Sequence, residues 1–125
     1  MGIQTKFFGR AIGIKDVATV NVSFDASEAA THVLYFPFPV RITRIRSVVT
    51  KALAGTDAGT ITGANATGVS ANGVLTHALS APQGDQQVTV PTTNNTVVAD
   101  SYYQVTSAKT TVGGKSFVTI EFVRT

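Results

Sequence analysis

The side chains able to do chemistry are few: two histidines, seven carboxylates and no cysteine in 125 residues. The lack of Cys removes disulfide frameworks, thiolate zinc sites and Cys nucleophiles together. His32 and His77 stand in no HxH or HxxxH spacing, and no carboxylate is clustered beside either in sequence, so they do not read as metal ligands. A Ser-His-Asp arrangement is spatial and cannot be counted out, but no GxSxG elbow is present to expose a serine nucleophile. Glycoside hydrolysis needs a carboxylate pair, and the acids on offer are Asp16, Asp25, Glu28, Asp57, Asp85, Asp100 and Glu121. Most of these read as turn residues, where Asp is favoured for hydrogen bonds to nearby backbone. Gly113-Gly114-Lys115-Ser116 looks superficially like a phosphate loop, yet the Walker spacing requires glycine where Lys109 stands, and a strand pattern follows instead of a helix. These readings point to a protein that is not an enzyme and takes no cofactor or metal.

Charge is equally uninformative as chemistry. Ten basic and seven acidic residues leave a formal charge of +3, too small and scattered to indicate nucleic-acid binding. The N-terminal stretch has Lys6 and Arg10 within it and no apolar run long enough for a signal-peptide core or a membrane span. Lys6 also stands where an acylation motif wants Ser or Thr. Three Asn-x-Ser/Thr triplets, at Asn21, Asn65 and Asn94, are the matches a Thr-rich chain produces by chance. The one local concentration of charge is Arg41, Arg44 and Arg46. On a free monomer it reads as a solvated strand face that discourages edge pairing; the alternative is an interface rim, where arginine grips a partner's carboxylates or carbonyls.

The elements that must hold these residues are strands. Thr and Val are the commonest residues and the good helix formers are scarce. Apolar residues make up 43% of the chain and charged residues 14%, enough for one core at this length without a staple. Val20, Val22 and Phe24 alternate with Thr19, Asn21 and Ser23, the period of a half-buried strand; Val118, Ile120 and Phe122 repeat the pattern. In the longest candidate strand, Val40 to Leu53, the apolar positions change parity, which predicts a β-bulge near Thr43 and Arg44. Phe36-Pro37-Phe38-Pro39 cannot donate ladder hydrogen bonds at either proline and predicts a corner. Strands are also expected at 31–36, 60–63, 73–79, 86–90 and 102–108, with one helical turn at 26–31 and a terminal hairpin closed by Gly113-Gly114. The expected fold is an all-β, antiparallel, jelly-roll-like sandwich of about nine short strands over 15–125, preceded by an arm or edge strand over 1–14. Adjacent aromatics, Phe7-Phe8 and Tyr102-Tyr103, must point to opposite faces of a strand, leaving one of each pair outward unless something covers it.

Three stretches give the chain a likeness: Pro39-Val40-Arg41-Ile42-Thr43 at the start of the long strand, Thr56-Asp57-Ala58-Gly59-Thr60-Ile61 at a turn, and Val97-Val98-Ala99-Asp100-Ser101-Tyr102 before the terminal segment. On these, Phe38 to Thr125 resembles the small jelly-roll modules that tailed bacteriophages carry as head decoration, or cement, proteins. It departs from them at Ala99-Asp100, where such modules often have Gly-Asp. The resemblance implies a repeated virion subunit, usually trimeric, made in the host cytoplasm and seated on the major capsid protein or other virion proteins, with neither nucleic acid nor membrane as partner. The expected contact residues are Phe7, Phe8 and Arg10 of the arm, and Arg41, Arg44 and Arg46. The rival is a glycan- or receptor-binding module of a tail fibre. Such modules expose Tyr or Trp on a sheet face, and this chain has no Trp and three Tyr.

Overall fold

A computed structural model describes residues 15–24 and 30–125. The arm at 1–14, with Phe7, Phe8 and Arg10, and residues 26–29 of the expected helical turn lie outside the described residues. Nine strands are seen: β1 (Lys15–Ser23), β2 (Ala30–Phe36), β3 (Val40–Lys51), β4 (Gly59–Asn65), β5 (Val69–His77), β6 (Gln86–Thr89), β7 (Thr96–Val97), β8 (Ser101–Ala108) and β9 (Lys115–Arg124). Ala30 and Thr31, expected to end a helical turn, instead open β2, where pairing with β8 satisfies their backbone.

The long segments β1, β3, β8 and β9 become strands because apolar residues fall two apart in them, and the pairing sorts the strands into two antiparallel sheets. The first runs β1-β9-β3-β6, with β7 also on β3; the second runs β2-β8-β4-β5. Apart from the β4-β5 hairpin and the successive short strands β6 and β7, the chain alternates between sheets from strand to strand, which is the wrapped order of a jelly roll. The inward side chains fill one core, including Val22, Phe24, Val40, Ile42, Ile45, Val49, Ile61, Tyr103, Val105, Val118 and Ile120.

The parity change in β3 is accommodated as expected. Its register on β9 shifts between Ile42 and Arg44, and Thr43 sends its hydroxyl to the Glu121 carbonyl at 3.2 Å. Ile42 before the bulge and Ile45 after it are thereby both buried. Pro37 to Pro39 form the corner that carries the chain from the second sheet to the first, and Arg124 lies over the Phe38 ring at 4.0 Å.

The terminal hairpin is not formed. β8 and β9 lie in different sheets, β9 being paired by β1 and β3. The connection 109–114 is too long for a two-residue turn, and it crosses the sandwich edge because buried Lys109 anchors its start. Gly113 and Gly114 have φ of 138° and 121°, a backbone shape that suits glycine and brings them against Ala54 and Leu53.

Candidate functional site: a buried Ser-His-Asp chain and two unlike sheet faces

Folding brings together three residues that sequence spacing kept apart. His77 ends β5; its Nδ1 lies 2.8 Å from Asp85 Oδ2 and its Nε2 lies 2.7 Å from Ser47 Oγ on β3. In the tautomer with the proton on Nδ1, Nδ1–H donates to the Asp85 carboxylate and Nε2 accepts from the Ser47 hydroxyl. The His77 hydrogen bond is the main cause that holds the Asp85 carboxyl below its ordinary pKa, outweighing the desolvation that opposes it. The connectivity is that of a hydrolase triad, but Ser47 and His77 are each 0% exposed. A nucleophile sealed in this way meets no substrate. What the chain of bonds does is tie the second sheet to the first: the Asp85 carbonyl accepts from Val49 N–H at 2.8 Å, and Gly84 N–H donates to the Val49 carbonyl at 2.7 Å.

A second polar anchor lies at the other crossing. The Lys109 side chain is fully buried and its Nζ donates to the Asp57 carboxylate at 2.7 Å and the Asp57 carbonyl at 2.9 Å. Asp57 also accepts from the backbone N–H groups of Thr110, at 2.7 Å, and Thr111, at 3.1 Å. Lys109, ahead of the backbone donors, drives the Asp57 pKa far below the carboxylate range. Both acids were expected to serve nearby backbone, and both instead hold distant segments. Among the described residues, no three His, Cys, Asp or Glu side chains gather as they would around a metal ion.

The outer face of the first sheet carries the sequence-predicted arginines. Arg41, Arg44 and Arg46 lie along β3 opposite Val123, Glu121 and Thr119 of β9. Arg41 is exposed and the other two are half-buried. Glu121 takes its ion pair from Lys15 at 3.6 Å, and none of the three arginines forms one with a described residue. Val17, Phe117 and Val88 are exposed on the same face, giving an apolar ground under a net positive row.

The outer face of the second sheet differs in kind. Its outward positions are Thr31, Val33 and Tyr35 on β2, Tyr102, Gln104 and Thr106 on β8, Thr60 and Thr62 on β4, and Val74 and Thr76 on β5, with no Asp, Glu, Lys or Arg among them. As adjacency requires, Tyr103 points inward and is fully buried, while Tyr102 points out. Tyr35, 62% exposed, stands directly across from Tyr102. Tyr35 Oη donates to Asp100 Oδ1 at 2.7 Å, and that bond, ahead of desolvation, raises the phenol's pKa. A cleft of about 110 Å³ opens beside Tyr102, lined by Asn65, Thr67, Thr96 and Ser101 together with Ala66, Val97 and Val98.

No family model matches the chain, and no curated protein matches it by sequence. Among solved structures it is similar to a chain in the capsid of Ralstonia phage GP4, at 11% identity and a TM-score of 0.56, over 99% of this chain and 93% of that one. Two further matches superpose too loosely to carry an argument. The carbohydrate-binding module CBM36 in complex with calcium and xylotriose gives a TM-score of 0.35 at 12% identity over 91% of each chain. The infectious bursal disease virus Gx strain gives 0.38 at 12% identity, over 99% of this chain and 36% of that one. The protein is an antiparallel jelly-roll sandwich, a fold it shares with that phage capsid chain.

Proposed function

We propose that this chain is a non-enzymatic structural subunit of a bacteriophage particle, a head decoration protein that stabilises the capsid lattice through many identical contacts. The observation that carries the reading is the outer face of the first sheet, where Arg41, Arg44 and Arg46 stand without ion-pair partners among the described residues, beside exposed Val17, Phe117 and Val88. Apolar ground with arginines at its margin is the composition of a protein interface, and the charge suits a partner that presents carboxylates or backbone carbonyls. The jelly roll shared with a phage capsid chain supports the same reading. So does the sealing of Ser47 and His77, which leaves the one triad-like group without access to a substrate. Residues 1–14 would add an arm that packs on a neighbouring subunit or the lattice, and the working form would be a trimer on the outside of the head.

Size-exclusion chromatography with light scattering, followed by co-sedimentation with heads built from the major capsid protein of the phage that encodes the chain, tests this. A trimer that binds heads, and that loses binding in R41E/R44E/R46E, is expected. Deleting residues 1–14 should weaken binding. A monomer that ignores the heads would overturn the proposal.

A further inference from the structure

The two faces of the sandwich are not alike, and the uncharged one has the makings of a ligand site. We infer that Tyr35 and Tyr102, on the outer face of the second sheet, and the cleft adjoining Tyr102 form a binding site for a neutral carbohydrate.

Four observations lead there. Tyr35 and Tyr102 are direct cross-strand partners, which places their Cβ atoms ~5 Å apart on an exposed surface and sets two aromatic side chains next to each other. Tyr35 is held in place by its 2.7 Å bond to Asp100, a residue at φ 61° on the turn into β8. A non-glycine residue in that backbone region is uncommon and is found where a turn or a site requires it. The cleft beside Tyr102 is lined by Thr67 and Ser101, whose hydroxyls make no hydrogen bond to another described residue, and on its far side by Thr96 and Val97 of β7. Asn65 at its floor is spent, its Oδ1 accepting from Thr67 N–H and Gly68 N–H and its Nδ2 donating to the Thr96 carbonyl. That leaves the hydroxyls as the free polar groups.

A ligand that matches this surface has a flat apolar face for the tyrosines, several hydroxyls for the cleft, and no charge. Sugar rings have all three: C–H bonds on one face, hydroxyls at the rim, and neutrality where the outward side chains offer no cation or anion to pair. The Asp100 carboxylate beside Tyr35 is engaged by the phenol hydroxyl. The inference does not depend on the particle contact, because its tyrosines stand on the second sheet, the cleft reaches the first sheet only through β7, and it is tested on the isolated full-length chain.

Amide chemical shifts should be followed while maltotriose, cellotriose, chitotriose and xylotriose are each titrated to millimolar concentration. At least one should move Tyr35, Tyr102, Ser101 and Thr67 together and leave Arg44 and Arg46 unmoved. Y102A, and separately the mild T67A/S101A, should each weaken that binding by about tenfold, while R46E leaves it unchanged. No response to any of the four, or binding that persists in both variants, overturns the inference. So does a set of shifts at the same residues that grows with protein concentration alone, because that would mean the face is covered by a second copy. Loss of sugar binding with head binding intact would sink only this inference, and the converse only the function proposed above.

Discussion

His77 and Asp85, eight residues apart in sequence, are joined at 2.8 Å at the edge where the chain passes from one sheet to the other. The bond helps couple the two sheets, because His77 belongs to β5 of one and its second ring nitrogen meets Ser47 on β3 of the other. A buried imidazole satisfied at both nitrogens is well placed to fix the register of the crossing; one left half-satisfied would strain it.

Acid should therefore weaken the fold through Asp85. Its folded pKa is lowered, so the stability it contributes is complete above the usual carboxylate value of ~3.9 and is lost as pH falls through the lower folded value. Urea midpoints measured from pH 7 down to pH 2 should drop in that window. D85N keeps an acceptor for Nδ1–H and should flatten part of the drop. D85A orphans a fully buried donor and should cost about 1–3 kcal/mol at neutral pH. Equal stability of D85A and the parent at pH 7 would count against the coupling.

The triad-like connectivity should be chemically silent. Incubation of the folded chain with a fluorophosphonate or an activated ester should leave Ser47 unlabelled by mass spectrometry, because the hydroxyl is shielded on every side. S47A should leave the neutral ring with an unpaired buried acceptor at Nε2 and cost about 1–3 kcal/mol, without loss of any activity. Stoichiometric labelling in the absence of denaturant would reopen the hydrolase reading.

The strands were legible in the sequence because each buries one face, and a period of two is visible in residues such as Val20, Val22 and Phe24. The β3 bulge was legible for the same reason: a parity change has few other remedies. What the sequence concealed was the partner of each strand. Gly113-Gly114 looks the same whether it closes a hairpin or carries the chain across the sandwich, and the deciding residue, Lys109, is buried only because Asp57 meets it from a loop 52 residues away. The Ser47-His77-Asp85 contact has no local signature, since two of its members are ordinary strand residues and the third reads as a turn aspartate. The facing of Tyr35 and Tyr102 depends on the β2-β8 register, which no spacing within either strand discloses.

The Lys109 anchor predicts an asymmetry between its two halves. Removing Asp57 leaves a buried ammonium with only the backbone carbonyl at 2.9 Å, whereas removing the lysine charge leaves a carboxylate still served by Thr110 N–H and Thr111 N–H. D57A should accordingly lower the urea midpoint further than K109M does, and the double variant should recover part of the loss. A double variant no better than D57A would mean that the loop is held by something other than the charge.

Gly63 is the tightest fit in the core. A Cβ there would overlap the Tyr103 hydroxyl and come within 2.7 Å of Ile45 Cδ1 and 2.9 Å of Tyr103 Cζ. Tyr103 cannot swing away, because it is fully buried and its hydroxyl shares a 2.8 Å bond with Ser70, whose own hydroxyl donates to the Asn94 carbonyl at 2.9 Å. G63A should thus destabilise the protein by about 1–3 kcal/mol through overpacking, read as a fall in urea midpoint at constant slope. Because the closest atom is the hydroxyl oxygen, Y103F removes the worst overlap and leaves those with Ile45 Cδ1 and the ring. G63A should therefore cost less in the Y103F background than alone, a coupling that a double-mutant cycle measures directly. Strictly additive losses would mean that the methyl is accommodated by backbone movement, and that Gly63 is there for the bend of β4 and not for the tyrosine.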